Sequence, residues 1–203
     1  MKTILISGGT GDLGSIVVPR MLREYRCVVL YRSESSWDKL KNAAKSKELI
    51  GMRESDGAKL EPLYAVVNLA GGFGPGGTVT DFEKLFEMNV LAAAATINLA
   101  LPHLMDGGRI VAISSAVSLT RPAGLAAYAA SKAALNAYIE TLAKELKDRH
   151  ITANALLPTT LDSSSAAKSA ERLVKRENVA EMIALLLSEQ GSNITGQLIG
   201  MSA

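Results

Sequence analysis

The chain has 203 residues, of which 48% are hydrophobic, and a formal net charge of +2 at pH 7. That length and apolar content suit one ordinary domain, residues 1–203, with a full core, and the balanced charge without a basic patch offers nothing to nucleic acid. Cys27 is the sole cysteine, which excludes an intrachain disulfide, and His103 and His150 lack the spacing or neighbours of a metal pair, so no metal site is expected.

Lys2-Thr3-Ile4-Leu5-Ile6 reads as a buried strand near 3 to 7. Ser7-Gly8-Gly9-Thr10-Gly11-Asp12-Leu13-Gly14 follows, and then a helical pattern with Ile16, Val17 and Leu22 on its apolar face. A strand, a glycine turn and a helix suit a pyrophosphate. Glycines let the backbone approach closely, and the free N–H groups and dipole of the helix start attract the anion. Gly8, Gly11 and Gly14 carry this loop, with Thr10 and Leu13 between them. Asp12 is ill suited to touch phosphate, and its expected role is a helix N-terminal carboxylate serving orphan N–H groups.

A second strand near 27 to 31 contains Cys27, which packs as a small apolar residue. It leads into Tyr31, Arg32 and Ser33. A site for a free ribose 2′-hydroxyl places Asp or Glu roughly twenty residues past the glycine turn. No acid stands there. The Arg32 guanidinium and Ser33 hydroxyl would instead suit a 2′-phosphate, the alternative being a solvated loop cation. Residues 36–47 fit a helix and 48–53 a strand, but 57–62 is too brief for a second helix, which leaves the adenine side of such a site unusually short.

Residues 63–69 form a strand running through Asn68-Leu69-Ala70-Gly71-Gly72 into glycine. Asn89 follows within a helix, and residues 108–114 form a strand ending at Ser114 and Ser115. Singly, these residues suit local hydrogen bonds and helix caps. The longest apolar run, 90–101, ends at Pro102 and is too short for a membrane span, and residues 4–6 are no signal-peptide core, so a cytoplasmic, membrane-free chain is expected.

In the helix Ala127-Tyr128-Ala129-Ala130-Ser131-Lys132, Tyr128 and Lys132 share one face. A cation ~4 Å from the phenol, at an effective dielectric of ~20, would favour phenolate by up to ~4 kcal/mol, about three pKa units, and bring proton exchange toward neutrality. Strands near 151–157 and 196–201 complete an alternation of strands and helices. The expected fold is α/β: a single Rossmann-type, doubly wound parallel sheet of about seven strands. Its crevice lies at the carboxyl ends of the strands, where Gly8, Asn68 and Ser115 fall. Residues 163–176 read either as a substrate-covering segment or as a plain loop and helix.

Together these residues resemble the short-chain dehydrogenase/reductase family over nearly the whole chain, and the stretches 68–73 and 157–162 resemble a bacterial branch related to dihydropteridine reductase. The resemblance implies that Tyr128 is the catalytic acid/base, Lys132 its pKa-lowering partner and ribose ligand, Ser115 the carbonyl-orienting hydroxyl and Asn89 the proton-relay residue. Ser115 lies thirteen residues before Tyr128, a family-like spacing that favours it over Ser114. Asn68, Ala70 and Gly71 match most of the family's cofactor-side segment, with Leu69 in place of a second asparagine. Departures are Asp12 where many members have a glycine, and Thr159 after Pro158 where they have Pro-Gly, which leaves Ser163 at the nicotinamide-amide position.

The implied activity is hydride transfer between a nicotinamide cofactor, NADP(H) preferred with NAD(H) the alternative, and a small-molecule carbonyl or secondary alcohol. Reduction is the expected direction. The competing reading is a non-catalytic NAD(P)-binding sensor or pseudoenzyme on the same fold. The small-sided runs 92–95 and 126–137 leave two long helices apolar around much of their circumference, which, with the resemblance, implies a homodimer or homotetramer.

Overall fold

The alternating burial of successive strand residues fixes the architecture. In the computed structural model, which describes residues 1–53, 56, 60–162 and 173–203, β1 (Lys2–Ser7) sends Ile4 and Ile6 into one core and Leu5 into another. A strand buried on both faces is what a parallel sheet covered by helices requires. The other strands are β2 (Tyr25–Leu30), β3 (Leu49–Met52), β4 (Leu63–Asn68), β5 (Leu104–Ile113), β6 (Thr152–Pro158) and β7 (Leu198–Met201). All seven pair in parallel, in the order β3-β2-β1-β4-β5-β6-β7. This is the expected Rossmann-type sheet.

Helices α1 (Gly14–Met21), α2 (Glu34–Ala44) and α7 (Arg176–Leu187) supply Val17, Met21, Trp37, Leu40 and Ile183 to the first core. Helices α4 (Ala92–Ala100) and α6 (Ala126–Glu145) supply Ala93, Ile97, Leu135, Ile139 and Leu142 to the second. Two shorter helices, α3 (Val79–Phe86) and α5 (Val117–Thr120), complete the set. Strand order reverses between β1 and β4, whose ends meet in the register Ser7↔Asn68. A crevice opens at such a switch point, outside the carboxyl ends of the strands.

Some boundaries differ from expectation. β2 begins at Tyr25 rather than 27, where it pairs with Lys2, and β5 at Leu104 rather than 108, because the pairing Leu63↔Leu104 precedes a register shift between Leu63 and Ala65 that periodicity alone does not reveal. The short crossover is as read: among the described residues between Met52 and Leu63 there is no α-helix, and Leu60 is buried in the second core.

The apolar run 90–101 is part of a longer unit. Val79–His103 is one unbroken helical stretch of 25 residues, and by length and composition alone it reaches what a membrane span needs. One side of it packs into the α/β layer, with Leu85, Asn89, Ala93, Ile97 and Ala100 buried along it, while Val79, Met88 and Leu91 are exposed. Its middle, Glu87–Leu91, is a π-helical turn between α3 and α4.

On the β2–β3 edge, the ring of Trp37 lies over Gly51, where a Cβ would stand 2.5 Å from its Cε2. The same ring stacks on Tyr31 at 5.3 Å, so it has little room to retreat. Gly51→Ala is therefore expected to cost about 1–3 kcal/mol by overpacking, whereas Gly200→Ala, with nothing within 4 Å of the added methyl, should stay within about 0.5 kcal/mol. Urea unfolding followed by Trp37, the sole tryptophan, checks both; equal midpoints would refute the crowding.

Candidate active site

The glycine loop leaves β1 through Gly8, which has φ +68° and no room for a Cβ, since one would lie 2.5 Å from the Ala70 backbone nitrogen. A Cβ at Gly14 would lie 2.3 Å from the Gly9 carbonyl oxygen. Side chains are thus excluded where the turn meets the end of β4 and where α1 begins. The Gly11 N–H closes the turn on the Gly8 carbonyl at 3.0 Å. The result is a bare backbone cradle, with Thr10 partly exposed and Leu13 packed on the first core. Ser7 Oγ donates to Asn68 Oδ1 at 2.6 Å, and Asn68 Nδ2 donates to the Ala70 carbonyl at 3.3 Å, which fixes the path of Ala70 and Gly71. Asp12 takes part in a contact that sequence reading did not foresee: its Oδ1 accepts from Arg176 Nη1 at 2.6 Å.

At the end of β2, the Tyr31 hydroxyl donates to Glu34 at 3.3 Å, and Ser33, whose hydroxyl lies 2.9 Å from that of Ser35, occupies the N-cap position of α2. Arg32 is exposed. Arg53 joins this group by packing its guanidinium 5.8 Å over the Tyr31 ring and pairing with Glu34. Only the β2–β3 pairing, Leu30↔Met52, brings Arg53 here, so local patterning could not have found it.

The densest polar cluster sits where β4, the π-helical turn and α6 meet. Asn89 is fully buried. Its Oδ1 accepts from the Gly72 N–H at 2.8 Å, and its Nδ2 donates to the Gly72 carbonyl and to Ser131 Oγ, each at 3.0 Å. Ser131 Oγ in turn donates to the Tyr128 carbonyl at 2.9 Å. Ser131 was legible inside the Tyr-x-x-Ser-Lys run but carries no signal of its own. A Cβ on Gly71 would stand 2.9 Å from Asn89 Oδ1 and 3.1 Å from Lys132 Nζ, so the glycine, the amide and the ammonium are close neighbours. Lys132 Nζ donates to the Ile113 carbonyl at 3.0 Å.

The Ser115 hydroxyl draws the Tyr128 phenol's pKa down against burial and accepts from the Val117 N–H at 3.3 Å, while Ser114 Oγ turns to the Lys132 carbonyl at 3.3 Å. Of the two serines, Ser115 is the one whose hydroxyl acts on Tyr128. Phe73 packs edge-on against the Tyr128 ring, centroids 5.1 Å apart, and is 70% exposed.

The expected acidification of Tyr128 by Lys132 is not what this structure has. Burial, the larger influence, pushes the Tyr128 phenol above its usual value, and the Ser115 hydroxyl opposes it. Lys132 is itself drawn down to about 8, because burial penalises its charged form. Desolvation outweighs the pairing that helix spacing suggested, and the ammonium is engaged with a backbone carbonyl instead.

Pro158 ends β6, and its carbonyl accepts from the Ala116 N–H at 3.1 Å. Ser163 lies outside the described residues, as does most of the segment 163–176; α7 begins at Arg176. Cys27 is buried with its thiol pushed up to about 12, consistent with a packing role. Among the described residues no group of three His, Cys, Asp or Glu could hold a metal.

The sequence profile of the family described as short chain dehydrogenase matches residues 54–173. The 3-oxoacyl-[acyl-carrier-protein] reductase FabG of Rickettsia felis is 30% identical over 98% of this chain and 94% of its own length. The cyclic-di-GMP-binding biofilm dispersal mediator protein of Escherichia coli is 29% identical over 97% and 94%. Among solved structures, BdcA in complex with NADPH superposes with a TM-score of 0.86 at 27% identity, covering 98% of this chain and 92% of that one. With its seven-stranded parallel sheet and a family match over more than half its length, the chain belongs to the short-chain dehydrogenase/reductase family of oxidoreductases.

Proposed function

We propose that the chain is an NAD(P)H-dependent reductase of small-molecule carbonyls, with Tyr128 as the proton donor. The observation that carries this reading is the Lys132 ammonium, 4% exposed and with one hydrogen-bond partner among the described residues. An ammonium has three N–H donors, so two remain beside Gly71 and Asn89 for the hydroxyls of a ribose. The glycine cradle at Gly8 and Gly14, which a Cβ would fill, fits a pyrophosphate, and Asn68, Ala70 and Gly71 line the way between. Similarity to BdcA, solved with NADPH, supports the choice of dinucleotide.

When bound, the dinucleotide supplies hydride at nicotinamide C4. Tyr128 gives its phenolic proton to the carbonyl oxygen, and a phenol held above its usual pKa by burial remains protonated, the form reduction needs. The Ser115 hydroxyl donates to the same oxygen as charge develops on it. Lys132 holds the ribose, and Asn89 fixes the loop after β4 against α6 and stands next to Lys132 as the relay residue. Ser163 is proposed for the nicotinamide amide, and residues 163–176 for covering the substrate.

A second reading, a nucleotide-binding sensor, draws on the Escherichia coli relative named for cyclic-di-GMP binding. A purified chain that binds dinucleotide yet reduces nothing in a broad carbonyl panel would select it.

Tyr128→Phe keeps the ring against Phe73 and loses the transferable proton, so kcat is expected to fall on the order of 10²- to 10⁴-fold with dinucleotide affinity nearly intact, whereas Lys132→Met should damage both. In the parent, kcat/KM for reduction should hold up to about pH 8 and fall above it, as Lys132 loses its proton through about 8. Turnover retained by the phenylalanine variant, on any substrate the parent accepts, would end this mechanism.

Arg32 is proposed to read a 2′-phosphate with the Ser33 hydroxyl, because residues 31–33, directly after β2, hold no acid and the carboxylate of Glu34 beyond them is paired with Arg53. The parent should show higher kcat/KM with NADPH than with NADH, and Arg32→Ala should shrink that ratio. An NADH-preferring parent, or an undiminished NADPH preference in the variant, refutes the assignment.

The chain is also proposed to self-associate. Leu91 is 56% exposed next to Ala92 and Ala95, and α6 carries alanine along much of its length. Light scattering at micromolar concentration should show a species larger than the 21.4 kDa chain; finding only that mass would refute association.

A further inference from the structure

Asp12 stands in the glycine loop, two residues before Gly14. A carboxylate there opposes an arriving pyrophosphate, since like charges a few ångströms apart repel. The structure answers that charge. Arg176, the first residue of α7, donates from Nη1 to Asp12 Oδ1 at 2.6 Å and to the Asp12 carbonyl at 3.2 Å. Its Nε reaches Asp162 Oδ1 at 3.2 Å, and its backbone N–H reaches the same oxygen at 2.9 Å. One guanidinium thus spans two carboxylates, one after β1 and one after β6.

Asp162 is itself held in place. Its N–H donates to the Val174 carbonyl at 3.0 Å, and the Val174 N–H donates to the Thr160 carbonyl at 2.8 Å. Residues 160–162 and 174–176 are therefore laced together. An isolated surface ion pair contributes little. This one is only 20% exposed on the arginine side chain and combines two pairs with two backbone bonds, so its geometry is well determined. Nothing in the proton-transfer chemistry uses it.

We infer that Arg176 is a dinucleotide-positioning residue: it neutralises Asp12 so that the glycine loop can receive a pyrophosphate, and it ties that loop to Asp162 after β6. The inference rests on the dinucleotide reading above. Arg176 acts through Asp12, which makes the relation between the two residues testable.

The test is NADPH binding to the full chain, by fluorescence titration at low salt, in a double-mutant cycle. Arg176→Ala exposes the Asp12 charge and should raise the Kd by roughly tenfold or more. Introducing Asp12→Gly into that variant removes the offending charge and should return the Kd most of the way to the parent's. The penalty of Arg176→Ala should also shrink in high salt, because screening weakens the repulsion. Arg176→Lys keeps the charge and should retain much of the affinity; it serves as the comparison with Arg176→Gln should the alanine variant fold poorly.

An Arg176→Ala chain that binds NADPH like the parent would overturn the inference while leaving the dinucleotide reading intact. So would a double variant as weak as Arg176→Ala alone, which would mark the arginine as merely structural. A parent that binds neither NADPH nor NADH would sink both.

Discussion

Burying the ammonium of Lys132 is the demand around which the site is arranged. Taking such a charge out of water carries a penalty of several kcal/mol unless nearby groups compensate, and its depressed pKa, about 8, shows that compensation is incomplete. The surroundings read as a response. The Ile113 carbonyl at the end of β5 accepts one N–H. Gly71 has no Cβ, so the backbone after β4 comes close enough to face both the ammonium and Asn89. The π-helical turn at Glu87–Leu91 adds a residue to the helix where Asn89 projects inward, letting one amide hold both polar groups of Gly72 as well as Ser131. π-bulges of this kind occur often at functional sites. An under-satisfied buried cation is a reason for a site to accept hydroxyl oxygens.

That same burial decides the chemistry of Tyr128. Coulombic attraction by a neighbouring cation and desolvation act on a phenol in opposite directions. In this structure desolvation prevails on both partners: the phenol is raised and the ammonium lowered, so burial favours the neutral form of each. Ser115 supplies the opposing pull, a hydrogen bond that favours negative charge on the phenolic oxygen. Phe73, packed edge-on against the ring, keeps water from one side of it.

How much of this was legible in the amino-acid sequence follows from how far apart the partners lie. The strand, glycine turn and helix at residues 2–21 were legible because periodicity and turn chemistry act over a few residues, and all seven strands were found by the same means. Tyr128 and Lys132 were legible as a pair on one helix, although their protonation was not, since burial is a property of the whole fold. Ser131 was hidden by its ordinariness: nothing local distinguishes a serine that bonds an asparagine forty-two residues away. Arg53 reaches Tyr31 only through sheet pairing, and the β5 start at Leu104 depends on a register shift. Helical continuity also escaped local reading: residues 90–101 look short alone but continue from a helix that begins at Val79.

The glycine loop shows how a chain absorbs a departure from its family's pattern. An acid in place of a glycine adds a Cβ and a negative charge where neither is wanted. The steric part is tolerable because position 12 is exposed at the rim of the turn, whereas Gly8 and Gly14, which have no space, remain glycine. The electrostatic part requires a partner, and the partner comes from the first residue of α7, 164 positions away. Because that arginine also holds Asp162 beyond β6, the substitution links two elements that β1 and β6 otherwise keep apart in the sheet order. A local exception in the loop has thereby become a tie between the glycine turn after β1 and the chain that follows β6.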